Sequence, residues 1–124
     1  MKSLTQYLTE SKNNPLLKHE IKVNNFTPGD VVLFREIWEP GDDTAIMVVM
    51  EDNGNRVLVA DVGTMSSIGS SRTLASRDLF KVGEVEVKGK ILPGESIAKA
   101  FEICEAIGMD CTVGRERESK RRKL

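Results

Sequence analysis

The sequence predicts a mainly β domain of the α+β kind: short antiparallel strands, a short helix near the N-terminus and an amphipathic helix near the C-terminus. Three observations predict it. Runs rich in Val, Ile, Met, Leu and Phe recur between clusters of Gly, Pro, Asn and Asp, the punctuation of a β meander. One pair of runs flanks Asn53-Gly54, a strong hairpin signal because both residues tolerate the positive φ of a type I′ turn. Residues 93–108 instead place their apolar side chains at helical spacing. At 124 residues, 40% apolar and 30% charged, the chain can fill one core. The expected layout is a helix and connector over 1–25, a β body over 26–92, a helix over 93–110 and a basic tail over 111–124.

In chain order, Ser3 and Gln6 form an S-x-x-Q capping box, and Leu4, Tyr7 and Leu8 fall at i, i+3 and i+4. This predicts a helix over about residues 3–12, stopped by Asn13-Asn14-Pro15 because proline pushes its predecessor out of the helical region. Residues 16–25 read either as more helix, through Leu16, Leu17 and Ile21, or as an edge strand, through Ile21 and Val23. Pro28-Gly29 fits positions i+1 and i+2 of a type II turn and launches a strand over Val31–Trp38. That strand stops at Glu39-Pro40-Gly41-Asp42-Asp43. After the hairpin come a small-residue loop (Gly63–Ser71), a strand, a turn around Ser76-Arg77-Asp78 and another strand. Glu84–Lys88 alternates as a half-exposed strand does, up to Gly89. The helix follows, with Ser96 as expected N-cap, Ile97, Ala100, Phe101, Cys104 and Ile107 on one face, and Gly108 at C′.

The hairpin carries a further implication. A two-residue turn at Asn53-Gly54 pairs Glu51 with Arg56, Met50 with Val57, Val49 with Leu58 and Val48 with Val59. Val48, Met50, Val57 and Val59 then share one face, and Met47, Val49, Leu58 and Ala60 the other. A hairpin with one wet face alternates polar and apolar residues. This one is apolar on both, so each face needs a cover, and the Ile97–Ile107 helix is the expected lid for one.

The order of turn, VVLF strand, turn, hairpin, strand, short turn and strand resembles an SH3-like small β-barrel of the Tudor and KOW type over about residues 26–87. Pro28-Gly29-Asp30-Val31-Val32 matches the "PGD-V-V" start of its first strand. Arg72-Thr73-Leu74 and Ser76–Val82 match the fourth strand, the short 3₁₀ turn and the fifth strand. The opening MKSL-x-x-Y resembles the starts of proteins from large tailed phages, which implies a phage or bacterial source. Barrels of this type serve RNA, DNA, peptides and assembly. Clustered rings for a methyl-Lys or methyl-Arg cage are missing among six aromatics, as is the acidic-aromatic loop of a Pro-rich-peptide reader.

Charge and chemistry narrow the function classes. Residues 115–124 hold six Lys/Arg and two Glu, a charge of +4; the other 114 hold twelve Lys/Arg and seventeen Asp/Glu, a charge of −5. No run has the roughly 18–20 apolar residues of a membrane span, the opening lacks a secretory h-region, and two cysteines without CxxC spacing form no disulfide framework or zinc motif. A cytoplasmic, non-enzymatic protein without metal or cofactor is expected. The first reading is a protein-interaction or self-assembly module. Its site is Trp38 in an acidic rim of Glu39, Asp42 and Asp43, joined by Met65 and Ile68 of the Gly63–Ser71 loop. The plainer reading of Trp38 is a cap on the core. The alternative is an accessory protein that holds nucleic acid through Arg115, Arg117, Lys120, Arg121, Arg122 and Lys123, with no interleaved aromatic for base stacking. Gly63–Ser71 lacks the spacing and Lys of a P-loop. His19, the sole histidine, reads as a surface residue, and Cys104 as core. Asp61, on an apolar strand face, calls for a buried ion pair with Arg72 or Arg77.

Overall fold

The computed structural model describes residues 12–38, 45–62 and 71–112. They form β1 (Lys12–Asn13), β2 (Asp30–Phe34), β3 (Glu36–Ile37), β4 (Met47–Asp52), β5 (Arg56–Asp61), β6 (Ser71–Ala75), β7 (Leu79–Glu84) and α1 (Gly94–Ala106), with 3₁₀ turns at Pro15–His19 and Ser76–Asp78. Among the described residues β1 pairs only with β3. The other five strands make one antiparallel sheet in the order β6-β5-β4-β2-β7. The described residues are therefore of α+β class, mostly antiparallel sheet with one C-terminal helix among them.

Covalent connection forces the sheet to roll. Five strands about 4.8 Å apart would put the edges of a flat sheet about 19 Å from each other. Only Ser76–Asp78 join the edge strands β6 and β7, and a 3₁₀ turn advances about 2 Å per residue. Leu74 of β6 and Leu79 of β7 accordingly pack in one cluster with Val32, Met47, Val49, Val57 and Val59. No ladder joins β6 to β7 among the described residues, so the roll does not close into a barrel.

The opposite face of the sheet is just as apolar. Val31, Leu33, Ile46, Val48, Met50, Ala60, Phe80 and Val82 form a second cluster together with Ile97, Ala100, Phe101 and Cys104 of α1. The lid expected from the double-faced hairpin is thus α1. It seats closely on β7: a Cβ added to Gly83 would lie 2.7 Å from the Ile103 side chain. The Ser96 hydroxyl donates to the Glu86 carbonyl and ties the first helical turn to the chain leaving β7. Ser96 lies inside the first turn of the helix and Pro93 is the N-cap. At the other end Gly108 (φ +103) sits at C′, with Gly108 N–H donating to Glu105 and Met109 N–H to Cys104, the two bonds of a Schellman motif.

The hairpin register differs from the expected one. Asn53 N–H donates to the Arg56 carbonyl, so the turn centres on Gly54-Asn55, and only Gly54 has positive φ. A bulge between Val49 and Glu51 then shifts the ladder, so that Val48 faces Ala60 and Val49 faces Val59. Because side chains alternate with period two, one inserted residue exchanges faces: Val57 and Val59 join Met47 and Val49, while Val48 and Met50 join Ala60. The Glu51–Arg56 pair is not formed; Glu51 faces Leu58.

Three other boundaries move. The expected strand over Val31–Trp38 breaks at Arg35, after which β3 leaves the sheet for β1. Lys12, expected to end a helix, lies in β1; the rest of that helix falls outside the described residues. Residues 16–25 combine the two readings, a 3₁₀ turn followed by a single edge bridge of Ile21 to Lys81. The strand expected over 84–88 stops at Glu84, and Lys88 and Ile91 close a tight turn at Gly89 (φ +61).

The Pro28-Gly29 turn is as expected: Asp30 N–H donates to Thr27 at 3.1 Å, and Gly29 has φ +100. Gly29 also bridges two strands, its N–H donating to Val49 and its carbonyl accepting from Val85, both at 2.8 Å. A Cβ there would lie 2.2 Å from the Val85 oxygen. Gly29→Ala is expected to destabilise the fold by more than the ~1–3 kcal/mol of the dihedral strain alone, measured by urea unfolding; a loss under about 0.5 kcal/mol would mean the turn relaxes freely.

Candidate recognition site

Trp38 owes its position to the break in β2. Arg35, at the break, is fixed from three sides: it pairs with Glu20, its Nε donates to the Leu79 carbonyl at 3.0 Å, and its guanidinium lies 6.0 Å from the Phe80 ring. Beyond it, β3 runs along β1 and delivers Trp38 to the surface, 60% exposed. The ring lines a cleft of about 390 Å³ with Phe34, Arg35, Glu36, Arg77 and Asp78. A second cleft of about 230 Å³, between Ile21, Phe26, Gly54 and Leu79, shares Arg35 and Arg77 with the first. At this exposure Trp38 does not cap the core.

Of the other expected site residues, Glu39, Asp42, Asp43, Met65 and Ile68 lie outside the described residues, as do Arg115, Arg117, Lys120, Arg121, Arg122 and Lys123. Sequence reading missed Phe34, Arg77 and Asp78 as companions of Trp38. The signal available was the Ser76–Asp78 turn itself, whose short span brings the β7 edge beside the end of β2.

The buried polar groups are structural. Asp61 is buried and pairs with Arg72 at 3.0 Å, one of its two expected partners; the Arg72 guanidinium also lies 5.3 Å from the Phe34 ring. The Asp30–Lys81–Glu84 cluster was not expected. Lys81 lies on the face that carries Leu79, and its ammonium is 3.0 Å from Asp30 Oδ1 with side-chain exposures of 6% and 1%; Glu84 closes on it from the rim. Asp30 is also held by the Thr27 N–H and hydroxyl. His19 is exposed at the end of its 3₁₀ turn, and both cysteines are buried. Burial first, then the neighbouring Cys111 and Glu105, push the Cys104 thiol up to about 12, which leaves it a packing residue without nucleophilic character at neutral pH.

Among the described residues no group of three or more His, Cys, Asp and Glu is arranged to hold a metal ion, and no helix is long and apolar enough to cross a membrane. No protein-family model, no curated protein and no solved structure matches the chain.

The buried cluster has a measurable pH signature. Burial alone would lower the Lys81 pKa, but hydrogen bonds and charge from Glu84 and Asp30 outweigh it and raise the value above 10.5. The folded state therefore holds this proton more tightly than the unfolded chain. The resulting stability is fully present below the ordinary lysine value and is lost as pH rises through the raised one. Glu84, lowered by Lys81, adds stability that is lost in acid below its ordinary 4.5. Lys81→Met is expected to cost about 3–5 kcal/mol by stranding Asp30 and to remove the part of the alkaline loss due to Lys81. Asp30→Asn in the same chain should recover part of the cost. Urea unfolding from pH 7 to 11 measures both, and strictly additive single-variant costs would show that the two groups do not interact.

Proposed function

We propose that the chain is a non-enzymatic protein-interaction or assembly module on an open, rolled sheet of SH3-like type, and that it takes a partner segment at the Trp38 cleft. The strand order supports the SH3-like reading: β7 returns beside β2, and a 3₁₀ turn joins two edges brought together by the roll. The observation that carries the site is Trp38 itself. A large ring, 60% exposed and lining a concave surface that also includes Phe34, has the form of an interface anchor. The neighbouring cleft that shares Arg35 and Arg77 extends the surface in the way an elongated segment would use it. Arg35 is already matched by Glu20. Glu36 and Asp78 in the cleft, and Glu39, Asp42 and Asp43 nearby in sequence, favour a partner that presents an apolar anchor flanked by basic residues.

A second reading rests on the charge asymmetry of the sequence. The +4 tail on a −5 body suits an electrostatic clamp on nucleic-acid phosphates. Such binding would fall steeply with salt and vanish on removal of residues 115–124.

Trp38→Ala separates these readings. Loss of an anchor should cost at least about 2 kcal/mol of binding, roughly thirtyfold in Kd, while the melting temperature stays near that of the wild type. Capture from a lysate of the source, comparing wild type, Trp38→Ala and the chain lacking residues 115–124, identifies the dependent partner. A large fall in melting temperature would make Trp38 a core residue and remove the site; binding lost only with the tail would favour the second reading.

A further inference from the structure

The molecule carries on its own surface the kind of group its cleft favours. Among the described residues the exposed large apolar side chains are Ile21, Val23, Trp38 and Ile91. Ile21 and Val23 line the second cleft, next to the Trp38 one. Ile91 lines neither, and at 68% it is the most exposed of the four. It sits on a tight turn. Lys88 and Ile91 each donate an N–H to the other's carbonyl at 3.0 Å, and Gly89 between them has φ +61. No described residue other than glycine has positive φ, so Gly89-Lys90 follows the type II′ pattern, with glycine first. Residues directly opposite in such a pair share a face, with Cβ atoms about 4.5–5.5 Å apart. Lys88 therefore stands beside Ile91, with Lys90 at the tip. Lys88, Lys90 and Ile91 are all exposed, and neither lysine forms an ion pair among the described residues. An apolar anchor flanked by two lysines is thus held in one backbone conformation, which lowers the ordering cost of docking it.

Cleft and turn belong to opposite ends of β7. Phe34 of the cleft faces Leu79 at the start of the strand, and Asp30 faces Glu84 at its end. Rising about 3.3 Å per residue, β7 sets these ends about 17 Å apart. The turn lies beyond Glu84, on a stem that the Ser96–Glu86 bond ties to α1. A chain does not fill its own cleft with this turn, but a second copy presents the same turn to it. The charges match as well. Arg35 is taken by Glu20, which leaves Glu36 and Asp78 against Arg77 in the cleft, a negative balance that attracts lysine. At about 390 Å³ the cleft has room for a branched aliphatic side chain beside the rings of Trp38 and Phe34.

We propose that copies of this chain associate head to tail, the Lys88–Ile91 turn of one entering the Trp38 cleft of the next. The proposal rests on the recognition reading above and names the partner as the chain itself. Ile91 is the anchor against the Trp38 ring, and Lys88 and Lys90 meet Glu36 and Asp78. Donor and acceptor are different patches, so the contact is heterologous and repeats from copy to copy. One turn in one cleft buries far less than a standard interface, so the association is weak and depends on protein concentration.

Trp38 is the only tryptophan, so its emission reports the filling of the cleft. A Trp38→Ala chain keeps the turn and emits no tryptophan light; an Ile91→Asp chain keeps the cleft and its ring. Titrating the first into a dilute solution of the second, up to roughly 1 mM, should shift the emission to the blue and saturate at one donor per cleft. Two further donors carry a damaged turn: Trp38→Ala/Ile91→Asp, and Trp38→Ala/Lys88→Glu/Lys90→Glu, which keeps the apolar anchor. Each should bind at least about tenfold more weakly and melt as the Trp38→Ala chain does. Should one of them fail to fold, the other decides. In sedimentation the average mass of the wild type should rise with concentration, while either single variant alone stays at one chain. Emission that ignores the donor overturns the proposal. So does a shift of equal strength with all three donors, which would assign the occupant to another segment of the second copy. If the titration fails while Trp38→Ala still loses capture from a lysate, the cleft serves a different protein and only self-docking falls. If Trp38→Ala leaves capture unchanged as well, the recognition reading falls with it.

Discussion

Everything in this fold follows from a sheet with no wet face at its centre. β2, β4 and β5 are apolar on both sides, so the strands gain from burial only if each side is covered. The protein covers them by different means. The three-residue link between β6 and β7 rolls the sheet around Val32, Met47, Val49, Val57 and Val59, and α1 lies across Val31, Leu33, Val48, Phe80 and Val82. Helix and roll are interdependent, since β7 contributes Leu79 to one cluster and Phe80 to the other.

Gly29 links the middle of β4 to the chain leaving β7 through its own backbone, and the next residue, Asp30, holds Lys81 on β7. A buried lysine is costly unless its charge is matched and its hydrogen bonds are made. Here Asp30 and Glu84 supply both, and Asp30 is itself satisfied by Thr27. The arrangement fixes the register of β7 on β2 despite the bulge between Val31 and Val32. Ile21 then covers part of the outer edge of β7 by donating its N–H to Lys81, which keeps that edge from pairing elsewhere.

Local signals in the sequence were enough for three of the turns and for the C-terminal helix. Pro28-Gly29, Ser76–Asp78 and Gly108 consist of residues that favour turns or helix ends, and all three appear as expected. The need for a lid was legible too, since it follows from composition whatever the pairing. Register was not. A bulge at Met50 and a turn displaced by one residue depend on which side chains fill the finished core, and no window of the hairpin encodes them. The Lys81 pair joins residues 51 apart in the chain; a lysine beside Leu79 and Phe80 hinted at burial without naming its acid. The site was half legible. Trp38 stood out as the sole tryptophan beside acidic residues, but its partners in the cleft come from β2 and the Ser76–Asp78 turn, brought to it by the roll.

The central claim is that α1 is an integral cover of the sheet and not an appendage. Phe101→Asp tests it most directly, because Phe101 is 1% exposed between helix and sheet, and an unpaired carboxylate there removes the apolar contact and adds a desolvation cost. Thermal unfolding followed by circular dichroism is predicted to lose its cooperative transition at 25 °C and above, strands included, while Glu102→Lys on the exposed helix face melts like the wild type. A Phe101→Asp chain that keeps a cooperative sheet transition within about 2 °C of the wild type would show that the sheet stands without its lid.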